Sequence, residues 1–511
     1  MKRPGLVSQN TLNRLYQEVN EDWKRCDYAA AIAKLESAQR RSPAHFGILL
    51  NLGRLHGQRY DYAAAERCLE QALRVTGQRT DVLLAAGQQC RSFNLLSLAE
   101  SYLKRALARP DATPETFVAL GELYERQRRT AEAVELADRA LQANAADGPA
   151  LQLRARLERQ AGQLEAAEKR LRTFPANADP ALRAGAQYEL GGILDRQGRY
   201  DEAMTAFRDA KALLQPQAAR PAMELKVMRA RLQHLTTNAT ADVLSRWRAE
   251  SLPPPHRIAL LAGHPRSGTT LLEQVLDAHP DMISAEETEI FYTDAYGPLL
   301  RGHPDNTGMY DALASAAPGA LQTARQQYFR TMELSLGQPL NGRLLIDKNP
   351  SFTFLIPALV RLFPEIQLLI ALRDPRDVVL SCYMQNLPLN QVGAACLTLA
   401  DTASEYTELM GTWRALQPRL ANPYLEVRYE DMVNDLEAVA RKTLEFLGVT
   451  WDAQVLGFDR HAREKVVRSP TYADVTQPVY KRAVGRWRNY QKHLEPHLAK
   501  LEPFVKAFGY E

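Results

Sequence analysis

Residues 258–280 read IALLAGHPRSGTTLLEQVLDAHP, and this stretch decides the fold of the half of the chain that contains it. The apolar run RIALLA, 257–262, predicts a short buried strand, and TTLLEQVLDAH, from Thr269, predicts a helix. Between them GHPRSGTT, Gly263 to Thr270, is a loop in the strand-loop-helix context where backbone N–H groups converge on an anion. The phosphate-binding pattern G-x-x-x-x-G-K-[ST] would place a lysine seventh in this loop, but Thr269 stands there and Arg266 is the loop's cation. A nucleoside triphosphate requires that lysine and a hydroxyl-bound magnesium ion. An anion carrying less charge can be held by loop N–H groups, the Thr269 and Thr270 hydroxyls and one arginine.

Further apolar runs follow: RLLID at 343–347, IQLLIAL at 366–372 and YLEVRY at 424–429, with helical stretches between them. That alternation predicts an α/β domain with a mainly parallel sheet covered on both faces. A second signature is IALRDPRDVVLSCY, 370–383. Arg373 ends a strand, Asp374 is placed to cap the next helix, and Pro375 takes its first position, where a missing N–H costs nothing. Ser381 follows Asp374 by seven residues, about two turns, and so faces the helix start. Arg373 and Ser381 together suit an isolated phosphate, such as one on a ribose 3′-oxygen.

PRSGTT after a strand, with LRDPRDVVLS downstream, resembles the sulfotransferases that use 3′-phosphoadenosine-5′-phosphosulfate (PAPS), over roughly 256–492. The intervening AHPDMISAEETEIF is most similar to the tyrosylprotein sulfotransferases. The resemblance implies a P-loop-type α/β fold. It also implies donor-binding roles for Arg266, Ser267, Gly268, Thr269 and Thr270 at the 5′ end, and for Arg373 and Ser381 at the 3′-phosphate. Tyr429, in RYEDMV, would lie by the adenosine, and Thr471 and Arg486, in TYADVTQPVYKRAVGRW, match the last donor contacts. Gln385 stands where the family often has a further basic residue, so part of the phosphate grip is expected from Lys481, Arg482 or Arg486. Glu289 replaces the arginine that follows the family's E-E-T segment.

Sulfuryl transfer to a hydroxyl needs a base for the acceptor proton and cations for the leaving phosphate. By the family pattern Glu287 is the base, 21 residues after Arg266; the adjacent Glu286 is the alternative, which one sequence does not decide. Lys348, in LLIDKNPSF, resembles the family's lysine that neutralises the bridging oxygen, and Arg266 assists it. Asp347 would instead serve a kinase as a magnesium ligand; no metal is expected in the sulfotransferase reading, with PAPS as donor and PAP as product. His264 lies inside the loop, where close backbone approach turns its ring away. Trp413 and Trp487 are expected in the core, and the short basic run Lys481–Arg488 in a segment covering the donor rather than in a nucleic-acid patch.

The N-terminal half is built differently. Ala31, Ala65, Ala99, Ala133 and Ala167 recur every 34 residues. Leu35, Leu69, Leu103, Ala137 and Leu171 keep step with them, as do Ala38, Ala72, Ala106, Ala140 and Phe174. Gly53, Gly87, Gly121 and Ala155 stand twelve residues before the second to fifth alanines, and a sixth copy (Leu190, Gly191, Ala203, Phe207, Ala210) is displaced by two. This pattern resembles the tetratricopeptide repeat over about residues 12–217, which implies an all-α superhelix whose concave face holds a peptide or partner protein. The predicted division is therefore 1–217 for about six repeats, 218–255 for a helical connector ending in Leu252-Pro-Pro-Pro255, and 256–511 for the sulfotransferase-like domain.

A length of 511 residues accommodates two or three domains, and 64 basic against 60 acidic residues leave +4, too little to imply a nucleic-acid surface. The five cysteines show no metal-site spacing, and neither a secretory leader nor a run of about 18 apolar residues occurs, so a cytoplasmic protein with free thiols and no membrane span is expected. The expected activity is PAPS-dependent transfer to a hydroxyl, with a peptide or protein tyrosine recruited by the repeats. The alternatives are a small-molecule or saccharide acceptor with repeats used for assembly, including homo-oligomers, an ATP-dependent kinase, and a non-catalytic nucleotide-binding scaffold.

Overall fold

The computed structural model describes residues 9–250, 256–303, 308–464 and 479–510. The chain divides into two compact units, Met1–Ala206 and Phe207–Glu511, the division falling inside the helix Tyr200–Leu214.

The first unit is a run of antiparallel helix pairs, from Gln9–Lys24 with Tyr28–Arg41 through Pro180–Arg196 with Tyr200–Leu214. All five alanines of the 34-residue register are buried at 1% exposure or less, because a methyl group is the largest side chain that fits where paired helices touch. Gly53 and Gly87 show the same constraint: a Cβ would sit 2.9 Å from Leu69 Cδ2 at the first and 2.7 Å from Leu103 Cγ at the second. Phe174 departs from the register. It lies beyond the helix Leu164–Arg172, half-buried, with its ring against Gly148.

A second 34-residue register lies in the turns. Cys26, Tyr60, Asn94, Arg128 and Gly162 all have φ between +57° and +79°, as has Gly198 in the displaced copy. Each ends the first helix of a pair in the left-handed conformation and reverses the chain. Asp27 and Asp61, the next residues in two copies, cap the second helix by accepting from the N–H groups of Ala30 and Ala64. Ion pairs cross between neighbouring repeats at matching intervals: Glu100–Arg129, Glu125–Arg156, Arg159–Glu189 and Glu168–Arg199.

The second unit takes the end of the helix Tyr200–Leu214, continues through two helices, Ala219–Asn238 and Ala241–Ala249, and then forms a five-stranded sheet. The strands are β1 (Ile258–Gly263), β2 (Met282–Ala285), β3 (Leu344–Lys348), β4 (Gln367–Leu372) and β5 (Tyr424–Arg428), in the order β2-β3-β1-β4-β5 with every pair parallel. The helices that position the site are α1 (Thr269–Asp277), α2 (Pro318–Leu336), α3 (Pro375–Tyr383) and α4 (Tyr429–Asn434). Every residue of β1 and β3 is buried, as continuous apolar runs in a parallel sheet covered on both faces require. The chain leaves β1 toward β2 and leaves β4 toward β5, so the strand order reverses between β1 and β4. Ligands of such sheets bind beyond the carboxyl ends of the strands at that reversal.

Candidate functional site

The loop after β1 occupies that position, and its backbone is wedged on both sides. Gly263 has φ +137°, and a Cβ there would stand 2.4 Å from the Ala371 carbonyl oxygen of β4. Gly268 has φ +90°, and a Cβ would stand 2.6 Å from the Tyr429 ring at the start of α4. The Thr353 hydroxyl accepts from the Gly263 N–H and donates to its carbonyl, and the Ser267 N–H donates to the His264 carbonyl. Helix α1 then starts at Thr269 with no side-chain cap, so the N–H groups of its first turn point out of the helix end. Ser267, Thr269 and Thr270 are all buried in this turn.

Arg266, itself at φ +75°, links the two signatures. Its Nε donates to the Ser381 hydroxyl of α3 at 3.2 Å, and its carbonyl accepts from Arg373 Nη1 at 3.0 Å. Arg373 follows β4, is 7% exposed, and also donates through Nη2 to the Ala483 carbonyl at 2.5 Å. Its Nε is buried without a hydrogen-bond partner among the described residues. A buried guanidinium N–H with an unused proton beside a loop of outward-facing N–H groups is suited to an anion. The Arg373 guanidinium lies 5.1 Å from the Tyr429 ring centroid. Asp374 caps α3 by accepting from the Arg376 N–H, with Pro375 in the first turn.

The sequence left Asp377 without a role; it fastens the segment that precedes the C-terminal helix. It accepts from the N–H groups of Gly485 (2.7 Å) and Trp487 (2.8 Å), and Arg376 lies over the Trp487 ring. Arg486 belongs to this segment and is half-buried. Thr471 lies outside the described residues.

Across β1, the end of β3 carries Lys348, fully buried. Register explains its neighbours: Leu261 of β1 pairs with Lys348 and Ala285 of β2 with Asp347, so the residues after Ala285 come level with the lysine. Lys348 Nζ donates to Glu287 Oε1 at 2.9 Å and lies 3.2 Å from Glu273 Oε2 on α1. Burial disfavours the ammonium, but the Glu273 and Glu287 carboxylates outweigh it and hold the Lys348 pKa above the ordinary lysine value. Glu287 is half-exposed at 48%, whereas Glu286 is buried. Nothing in the sequence singled out Glu273; a carboxylate inside an apolar helical stretch was the available signal.

Asp347 is fully buried and accepts from the Tyr328 hydroxyl of α2 at 2.7 Å; burial raises its carboxyl to about 7. The His264 ring packs 5.0 Å from the Tyr406 ring and 3.9 Å from the Cys382 thiol, its Nδ1 2.7 Å from the Pro265 carbonyl, and burial lowers its pKa. It thus faces the interior, as the tight loop requires. Trp413 is a core residue whose Nε1 donates to Glu426. Among the described residues no group of three or more His, Cys, Asp or Glu side chains is placed to hold a metal ion, and no helix is long and apolar enough to cross a membrane.

Comparison with known proteins bears on both units. The Sulfotransferase family profile matches residues 259–453, and Tetratricopeptide repeat profiles match 47–78, 116–151 and 153–221. An uncharacterized protein of Aquifex aeolicus is 25% identical over 334 residues, 63% of this chain and 42% of its own length. Protein-tyrosine sulfotransferase 1 of Danio rerio is 25% identical over 262 residues, 50% of this chain and 72% of its own length. Among solved structures, the sulfotransferase domain of the Synechococcus PCC 7002 olefin synthase is 23% identical with a TM-score of 0.35, over 50% of this chain and 98% of that domain. Repeats of this kind suggest protein binding. The chain therefore carries tetratricopeptide repeats followed by a sulfotransferase-family domain with distant homology to the protein-tyrosine sulfotransferases.

Proposed function

We propose that the second unit transfers a sulfuryl group from PAPS to an acceptor hydroxyl, and that the acceptor is a tyrosine of a peptide or protein recruited by the repeats. The observation that carries this reading is the 2.9 Å pair of Lys348 and Glu287 at the ends of neighbouring strands. It joins a buried cation to a half-exposed base beside an anion loop that has no lysine of its own.

When bound, PAPS supplies a sulfuryl group on a 5′-phosphate whose bridging oxygen departs with the electron pair of the broken S–O bond. The first N–H groups of α1, the Thr269 and Thr270 hydroxyls and Arg266 would hold the 5′ end. Arg373 and Ser381 would hold the 3′-phosphate, with Tyr429 and Arg486 toward the adenosine. Glu287 accepts the acceptor proton as the acceptor oxygen bonds to sulfur. Lys348 neutralises the charge that grows on the leaving phosphate. Glu287 is favoured over Glu286 as base because it touches Lys348 and reaches solvent, where an incoming hydroxyl can meet it.

A kinase is the weaker reading: Asp347, its magnesium ligand, is engaged by Tyr328 in the interior. A small-molecule or saccharide acceptor is the second reading for the same chemistry, favoured by the exposed Glu289 in place of the expected arginine. Transfer from radiolabelled PAPS to a tyrosine peptide, a free phenol and a saccharide separates them. Labelled peptide that disappears on removal of residues 1–217 is the expected result; equal labelling by the truncated protein would contradict recruitment by the repeats.

A further inference from the structure

We propose that Glu273 is a positioning residue for Lys348, forming with Ser284 a buried clamp that keeps the ammonium charged and aimed while Glu287 gains and loses its proton. The inference rests on the sulfotransferase reading above. Three elements build the clamp. Helix α1 supplies Glu273, which is fully buried in the run TTLLEQVLD between the apolar Leu272 and Val275. Strand β2 supplies Ser284, whose hydroxyl donates to Glu273 Oε1 at 2.5 Å, and β3 supplies Lys348, 3.2 Å from Oε2.

An ionised carboxylate with no exposed surface is sustained only by charge and hydrogen bonds, and here Lys348 supplies a charge and Ser284 a hydrogen bond. The two carboxylates on Lys348 are not equivalent. Glu287 is half in solvent and, as the base, becomes neutral during each turnover. Glu273 is out of reach of any acceptor, so its charge persists when that of Glu287 is cancelled. At that moment Lys348 must remain protonated and face the leaving phosphate, and Glu273 is the group that holds it. Among the described residues Asp347, adjacent on β3 and tied to Tyr328 of α2, is a further charged neighbour of Lys348.

The test is Glu273→Gln, which keeps shape and removes charge. PAP binding is expected within about threefold of wild type, with turnover lowered about 10- to 100-fold because a misaimed group near the reacting atoms costs that much. The basic limb of the kcat profile is expected to move acidward by about one pH unit or more, the effect of losing one close opposite charge. A residue that only stabilised the fold would leave that limb in place. Ser284→Ala, which frees one oxygen of the clamp, should move the limb the same way by less. Wild-type turnover and an unmoved limb in Glu273→Gln would overturn the inference. If that variant fails to bind PAP, an unmoved limb in Ser284→Ala overturns it instead. A wild-type protein that neither binds PAP nor transfers label refutes the sulfotransferase reading itself, which keeps the two failures apart.

Discussion

Replacing Lys348 by methionine removes a cation from a place that water does not reach. Lys348 and Glu273 are both fully buried and 3.2 Å apart, and at an effective dielectric of about 20 their attraction is about 5 kcal/mol. Breaking such a pair from one side typically costs about 3–5 kcal/mol, because the remaining charge stays buried without its partner. The half-exposed Glu287 adds little to that figure, since solvent screens it. The loss is pH-dependent with a definite sign. With its cation gone, a fully buried Glu273 is disfavoured in its charged form, so the variant is penalised where that carboxylate is ionised and relieved where it takes up a proton at lower pH. Urea unfolding should therefore show a deficit of about 3–5 kcal/mol near pH 8 that shrinks toward pH 5. Four of the five tryptophans (Trp247, Trp413, Trp451 and Trp487) lie in the second unit, so their fluorescence reports the relevant transition. The double variant Lys348→Met/Glu273→Leu should recover most of the loss, because it removes the stranded charge as well. A deficit below about 1 kcal/mol, equal at both pH values, would refute the claim that the pair is desolvated.

Glu287→Gln should retain PAP affinity and lose about 10²- to 10⁴-fold in kcat, the usual range for a general base; full activity would move the base to Glu286 or elsewhere. Gly162→Ala should destabilise the repeat unit by about 1 kcal/mol in thermal unfolding, since its φ of +79° disfavours a Cβ although nothing stands within 4 Å of one. An unchanged Tm would show that this turn tolerates a Cβ freely.

The repeat array was legible because its small residues recur at one interval and each has a packing reason, Ala65 and Gly53 among them. The left-handed turns recur at the same interval and were not legible. Cys26, Tyr60, Asn94 and Arg128 occupy positions where glycine would have announced the conformation. In the second unit β1, β3, β4 and β5 follow the four apolar runs, whereas β2 is four residues long and MISA carries no alternation to read. The loop and α3 could be placed from spacing alone, since Gly263, Gly268, Asp374 and Pro375 each answer a local backbone demand. Glu273 and Asp377 are different in kind. Their partners, Lys348 for one and the backbone at 485–487 for the other, are distant in the chain and meet them only once the sheet and its C-terminal cover have formed.

On the proposed function, a loop without its lysine binds a 3′-phosphorylated adenosine nucleotide. Calorimetric titration of PAP, beside ATP with magnesium, on the wild type and on Arg373→Ala tests it most directly. Micromolar PAP binding is expected, weakened about 10- to 100-fold by the substitution, as loss of charge-assisted hydrogen bonds implies. ATP binding without PAP binding would contradict it.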